Sequence, residues 1–237
     1  DEAIYKSKLL RKITEPFYLR RTKGAVLKDL PPKEEVISYL EMSAGQAKLY
    51  KKTKDVYRQK IAKQIADKGI KKSHFAVLEG LLRLRQIACA PQLVDPKSTA
   101  SSSKLDYLIE KLIEDIAEGH KALVFSQFTT LLGLVRKLLD KQGIPYCYLD
   151  GSTRKRQEVV DKFTNNHENK VFLISLKAGG TGLNLTDADY VFHLDPWWNP
   201  AAEAQATDRA HRIGQKNKVV NYKLISKDTV EEKILKL

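Results

Sequence analysis

Residues 205–215 read Q-A-T-D-R-A-H-R-I-G-Q. On one continuous helix, Gln205, Arg209 and Arg212 stand at i, i+4 and i+7 and form a polar stripe, with Asp208 beside it. Guanidinium groups carry their donors in a fixed fork that matches carboxylates and phosphates. Ala201, Ala202, Ala204, Ala206 and Ala210 are small enough for close packing on both flanks, which predicts arginines set near a core. The competing reading is an exposed stripe in which Asp208 and Arg212 pair at i, i+4. Asn199 is suited to the N-cap, Pro200 to the first helical position and Gly214 to a left-handed stop, so the spacing predicts a helix over 199–213.

A second candidate is S-L-K-A-G-G-T-G-L-N-L, residues 175–185. Gly179, Gly180 and Gly182 let backbone N–H groups approach an oxygen-rich ligand; Thr181 adds a hydroxyl and Lys177 a charge. The segment matches neither G-x-x-x-x-G-K-[ST] nor G-x-G-x-x-G, and a plain tight turn is the alternative. Neither a Walker A loop nor an acidic magnesium ligand after a strand occurs in the sequence. Arg209 and Arg212 therefore read as fingers offered to a nucleotide held by another domain. Trp197 and Trp198 read as packing residues before base-stacking ones, and Asp150 and Asp208 as capping or arginine-orienting groups.

The elements that must position these residues follow from periodicity. Apolar runs at Ala122–Ser126, Tyr146–Asp150, Val171–Ser175, Tyr190–Asp195 and Val219–Ile225 alternate with helical patterns at 104–118, 131–141, 154–165 and 229–235. That alternation predicts an α/β fold, a parallel sheet flanked by helices. Ligands of such sheets bind at the carboxyl ends of the strands. Ser126–Gln127, Asp150–Gly151–Ser152, the glycine-rich segment and D-P-W-W-N-P (195–200) are all expected there. Upstream, 48–66 and 73–88 read as two helices of an N-terminal all-helical hairpin insertion, and 97–103 as a polar linker. The expected organisation is a lead-in segment over 1–40, a helical protrusion over 41–100 and the sheet lobe over 101–237.

Charge is unevenly spread. The chain has 237 residues and a net charge of +13; the first 100 residues hold 22 Lys and Arg against 11 Asp and Glu. A polyanion partner is plausible for that basic part, because phosphate contacts release counterions without regard to sequence. A lysine-rich solvated surface is the plainer alternative. No apolar run reaches the ~18 residues of a membrane span. Residues 1–8, D-E-A-I-Y-K-S-K, lack a signal-peptide pattern and read as the middle of a longer protein. Cys89 and Cys147 read as buried small hydrophobes in a reducing compartment, and no Cys/His cluster has zinc spacing, so no metal site is expected.

Taken in order, K-A-L-V-F-S-Q, Y-L-D-G-S-T, S-L-K-A-G-G-T-G-L-N-L, D-P-W-W-N-P and Q-A-T-D-R-A-H-R-I-G-Q resemble the C-terminal RecA-like lobe of a SWI/SNF-type superfamily-two ATPase. F-Y-L-R-R-T-K and L-R-Q-I-A-C-A-P-Q-L-V, upstream, resemble the same half. The resemblance implies an ATP-dependent double-stranded-DNA translocase that remodels protein–DNA complexes or assists recombination. It places Arg209 and Arg212 on the ATP γ-phosphate across an interdomain cleft, with Gln205 helping to position hydrolysis and Asp208 beside the nucleotide. Gly180, Thr181 and Gly182 would couple that cleft to DNA, and Ser126, Gln127, Lys177 and Gly151 would lie along the DNA backbone. ATP and Mg2+ would be bound mainly by the family's first RecA-like lobe, whose P-loop and acidic box are absent from these residues, so this chain alone is expected to be inactive. The implied partners are duplex DNA, the first lobe and a protein–DNA complex, with no membrane. The implied location is nucleoid-associated in a prokaryote and nuclear in a eukaryote. An RNA helicase lobe and a non-enzymatic basic DNA-binding module are the rival readings.

Overall fold

The computed structural model describes residues 2–17, 30–69, 73–178 and 182–236. It divides into two units, residues 1–30 and 31–237. The first contains helix α1 (Glu2–Thr14), which runs into a single 3-10 turn, Glu15–Phe17.

Among the described residues, the second unit is built on six parallel strands. These are β1 (Lys33–Leu40), β2 (Ala122–Ser126), β3 (Tyr146–Leu149), β4 (Val171–Ser175), β5 (Tyr190–His193) and β6 (Val219–Ser226), in the order β1-β6-β5-β2-β4-β3. This is the RecA-like α/β fold. Every residue of β2 and β4 is buried, as their unbroken apolar runs predict for central strands covered on both faces. The edge strands β1 and β3 instead alternate in burial. Pairing of β1 with β6 joins residues almost two hundred positions apart: Lys33 lies beside Val219 and Leu40 beside Ser226.

One face is covered by α4 (Ser103–Ala117) and α5 (Thr129–Lys141), whose Leu105, Leu108, Leu112, Leu131, Leu132, Val135 and Leu139 pack on Val124, Leu173 and Phe192. On the other, Val160 and Phe163 of α6 (Arg156–Asn165) join Ala206 and Ala210 against Leu123, Phe125, Phe172 and Val191. Helix α4 begins where Ser102 Oγ accepts from Leu105 N at 3.3 Å, a side-chain N-cap. The last helix among the described residues is α8 (Val230–Leu235), capped by Thr229.

Helices α2 (Ala44–Lys68) and α3 (His74–Cys89) form a hairpin between β1 and α4. They approach closely at Gly80, where a Cβ would stand 3.0–3.2 Å from three atoms of the Tyr57 side chain. The base of the hairpin is fixed more firmly than its length suggests. Tyr50, Leu84, Ile87 and Ala88 make a small core against Val230. The last carbonyls of α3, which a helix leaves without intrahelical partners, are taken by three other elements. Gln46 Nε2 donates to Ile87 O (2.8 Å) and Ala88 O (3.1 Å). Ser226 Oγ donates to Ala88 O (2.7 Å) and Ser102 Oγ to Cys89 O (2.6 Å).

Beside this joint lies a buried ion pair. Lys104 Nζ donates to Glu231 Oε1 and Oε2 at 2.8 and 2.7 Å and to Leu194 O at 2.7 Å, and Glu231 also accepts from Ser226 N at 2.8 Å. Both side chains are almost wholly inaccessible. Burial pushes the Glu231 carboxyl up, and the Lys104 charge pulls it back. Removing one partner of such a pair strands the other charge in the interior. Lys104→Met is expected to lower unfolding free energy in urea by about 3–5 kcal/mol. Adding Glu231→Leu to it is expected to restore most of that loss.

Candidate functional site

All six strands run the same way, so the loops after them share one edge. Asn199 Oδ1 accepts from Ala201 N at 3.0 Å and Pro200 opens helix α7, as the sequence predicts. The helix then ends early. It spans Pro200–Thr207 instead of continuing to residue 213, and the predicted single stripe does not form. Past Thr207 the backbone tightens into i→i−3 contacts, Arg209 N to Ala206 O and Ala210 N to Thr207 O. Two carbonyls needed for further helical turns are taken elsewhere: Leu185 N donates to Arg209 O at 3.1 Å, and Gln215 Nε2 to Ala210 O at 3.1 Å. Gly214, at φ 103°, completes the turn.

The consequence is a division of roles. Gln205 and Arg212 are exposed, and Asp208 is half-buried at the helix C-cap. Arg209 is only 7% exposed, and its Nε and Nη1 have no hydrogen-bond partner among the described residues. Its guanidinium lies 6.0 Å from the centre of the Phe125 ring, and Phe125 stacks on His193 at 5.5 Å and 17°. Burial lowers the Arg209 pKa to about 10, so the group is still charged near neutrality. Arg209 and Arg212 make no carboxylate pair among the described residues. A buried guanidinium without a counter-ion is costly, and an anion arriving beside it relieves that cost.

The second half of the site centres on Asp195, at the end of β5. Its carboxylate is fully buried and accepts from Ser126 Oγ (2.6 Å), Gln127 N (3.3 Å) and Gln127 Nε2. Burial pushes this carboxyl up, while those hydrogen bonds and nearby cations act against it. Ser126 itself is inaccessible, so its hydroxyl serves Asp195 and the loop backbone, where Phe128 N donates to it at 3.0 Å. Gln127 is half-buried, whereas Lys177 and Gly151 are exposed. Asp150 accepts from Ser152 Oγ (2.6 Å), Tyr148 Oη (2.9 Å) and Ser152 N (2.9 Å), and the Ser152 hydroxyl foremost holds its carboxyl below the usual range. It shapes the turn at Gly151. Trp197 is half-buried and Trp198 is 44% exposed. Gly180 and Thr181, with Gly179, lie outside the described residues; Gly182 lines a cleft of about 900 Å³.

That cleft and one arginine were not singled out from sequence. Arg154, Lys155 and Gln157, just before and within the first turn of α6, line it together with Gly182, Asn184 and Thr186. Arg156 donates to Thr153 O (3.4 Å) and Ala178 O (3.2 Å), tying the start of α6 to the segment after β4. The R-K-R run at 154–156, just before a helix and just after a strand-end turn, is the signal that points to it. Arg85 of α3 is buried against Gln127 and Pro196. Its sequence context, L-L-R-L-R-Q, carries no such signal.

The helicase conserved C-terminal domain matches residues 103–214, and the SNF2-related domain matches residues 1–93. The Sulfolobus solfataricus SWI2/SNF2 ATPase C-terminal domain superposes with a TM-score of 0.69 at 32% identity, over 86% of this chain and 84% of that one. The chain belongs to the SWI2/SNF2 family. The SWI2/SNF2 ATPase core of the same organism, solved in complex with dsDNA, gives a TM-score of 0.73 at 36% identity over 97% of this chain and 49% of its own. An uncharacterized ATP-dependent helicase of Mycoplasma pneumoniae is 42% identical over 228 residues, 95% of this chain and 22% of that protein. The chain thus spans about a fifth of the curated relatives it matches. Among the described residues of this SWI2/SNF2 lobe, no helix is long and apolar enough to cross a membrane.

Beneath Arg209 of this lobe, His193 is fully buried and neutral, its pKa lowered to about 3 by burial first and by Lys223 and Lys33 next. His193 Nε2 is 2.9 Å from Thr207 Oγ1, which donates to Asn221 Oδ1 at 3.3 Å. The unfolded chain takes up this proton near pH 6.5 and the folded one only near 3. Stability is therefore lost as pH falls from about 6.5 towards 3, at up to one proton, about 1.4 kcal/mol per pH unit. His193→Gln is expected to flatten that slope by close to one proton when urea unfolding is followed across the window.

Proposed function

We propose that this lobe is the second half of an ATP-dependent double-stranded-DNA translocase that remodels protein–DNA complexes or assists recombination. In this reading the ATP triphosphate and its Mg2+ sit on the first RecA-like lobe of the complete protein. Arg209 and Arg212 reach the γ-phosphate when the two lobes close, with Gln205 and Asp208 at the same edge. The observation that carries the reading is the Arg209 guanidinium, buried, charged and, among the described residues, without partners on Nε and Nη1. A donor fork held ready in a poorly solvated place suits charge that develops during phosphoryl transfer.

Duplex DNA runs along the carboxyl edge through its backbone. Gln127, Lys177 and Gly151 border that path, Ser126 supports it from inside, and Gly180, Thr181 and Gly182 connect it to the nucleotide edge. Arg154 and Lys155 add cations to the cleft that Gly182 lines. The basic hairpin flanks the duplex. The dsDNA complex of the Sulfolobus solfataricus SWI2/SNF2 core supports DNA as the track. Among the described residues no element has the look of a base-reading helix, so binding follows phosphate geometry and salt and not sequence.

The test is ATP hydrolysis by the complete protein, with and without duplex DNA, across salt concentrations. Arg212→Ala is expected to lower duplex-stimulated turnover by about 10³-fold while duplex affinity stays within about twofold. Equal loss of turnover and affinity, or greater stimulation by RNA than by duplex DNA, refutes the reading. Arg154→Ala is expected to weaken binding equally across DNA sequences and to reduce the slope of log affinity against log salt by about one.

A further inference from the structure

One side chain of the hairpin reaches the loops after both β2 and β5. Arg85 rises from α3 into the lobe and is 3% exposed. Its Nη2 donates to Pro196 O at 2.6 Å and its Nη1 to Gln127 Oε1 at 3.2 Å. Its Nη2 is also 3.8 Å from Asp195 Oδ2. The guanidinium lies 5.1 Å from the Trp198 ring centre and 5.8 Å from that of Phe128. One planar group thus touches the loop after β2, through Gln127 and Phe128, and the loop after β5, through Asp195, Pro196 and Trp198.

Gln127 closes the arrangement. Its amide nitrogen donates to Asp195 and its amide oxygen accepts from Arg85, so the side chain is clamped at both ends and cannot flip without losing both bonds. Asp195 is neutralised from two sides, by hydrogen bonds from the β2 loop and by the cation from the hairpin. A lysine at residue 85 would keep the charge, but one ammonium cannot reproduce the planar fork that spans Gln127 and Pro196 together.

We propose that Arg85 is a positioning residue that couples the helical hairpin to the two carboxyl-edge loops, so that duplex DNA held by the hairpin sets the geometry of Gln127 and of 195–198. The inference rests on the translocase reading and assigns to one side chain the link between DNA contact and turnover. Arg85 touches neither nucleotide nor DNA; it acts through Gln127 and Pro196.

Arg85→Met and Arg85→Lys in the complete protein test it. For Arg85→Met, duplex-stimulated kcat is expected to fall about tenfold or more, the scale of one lost charge-assisted hydrogen bond. The duplex concentration giving half-maximal stimulation stays within about twofold, and DNA-free turnover is unchanged. Arg85→Lys is expected to restore thermal stability without restoring stimulation. A proportional fall of DNA-free and stimulated turnover, or full rescue of stimulation by Arg85→Lys, overturns the inference. Hydrogen exchange on the wild-type complete protein reads the same link without a substitution. Duplex binding is expected to slow exchange in 80–89, 126–128 and 195–198 together, and protection confined to the hairpin overturns the inference. A wild-type protein with no duplex-stimulated turnover sinks the translocase reading itself, and the exchange pattern still decides whether the hairpin and the loops move as one.

Discussion

Two buried cations fix three consecutive residues, and the carboxyl edge depends on them. Lys104 holds Leu194 through its carbonyl, and Arg85 holds Pro196 through its own. Between them the buried Asp195 carboxylate gathers Ser126 and Gln127. Burying this much charge is not a cheap route to stability, since desolvation offsets most of the Coulomb gain. What the arrangement provides is placement. Helix α4, helix α3, the loop after β2 and, through Glu231, the C-terminal helix α8 are all referred to one short stretch of backbone at the end of β5. A strand end pinned from four directions keeps α7 and Arg209 in register with the rest of the edge.

The core of this fold is legible in its sequence because it follows from local rules. A-L-V-F-S and V-F-L-I-S admit little besides buried parallel strands, and α4 shows its apolar side at helical spacing behind a serine cap. The pairing of β1 with β6 is not local. Nothing in K-E-E-V-I-S-Y-L says that its neighbour lies beyond the hairpin and four intervening strands.

The geometry around the candidate site residues was not legible in the sequence. Spacing places Gln205, Arg209 and Arg212 on one stripe, yet the helix ends at Thr207 because Leu185 and Gln215 claim the carbonyls of Arg209 and Ala210. Tertiary hydrogen bonds of that kind leave no mark in periodicity. The outcome favours one arginine over the other: Arg209 sinks over Phe125 while Arg212 stays in solvent. Ser126 shows the converse. A serine at a strand end reads as a group facing a ligand, but its partner is a carboxylate nearly seventy residues away. Arg85 was the least legible, because an arginine in a leucine-rich helix looks the same whether it faces water or a buried acid.

The carboxyl end of α3 has a mechanical meaning. Three side chains from three elements, Gln46, Ser226 and Ser102, occupy the carbonyls of its last residues. Those hydrogen bonds resist rotation of the helix at its root. The hairpin is rooted like a cantilever: a load on its outer turns is carried to the built-in end at residues 87–89.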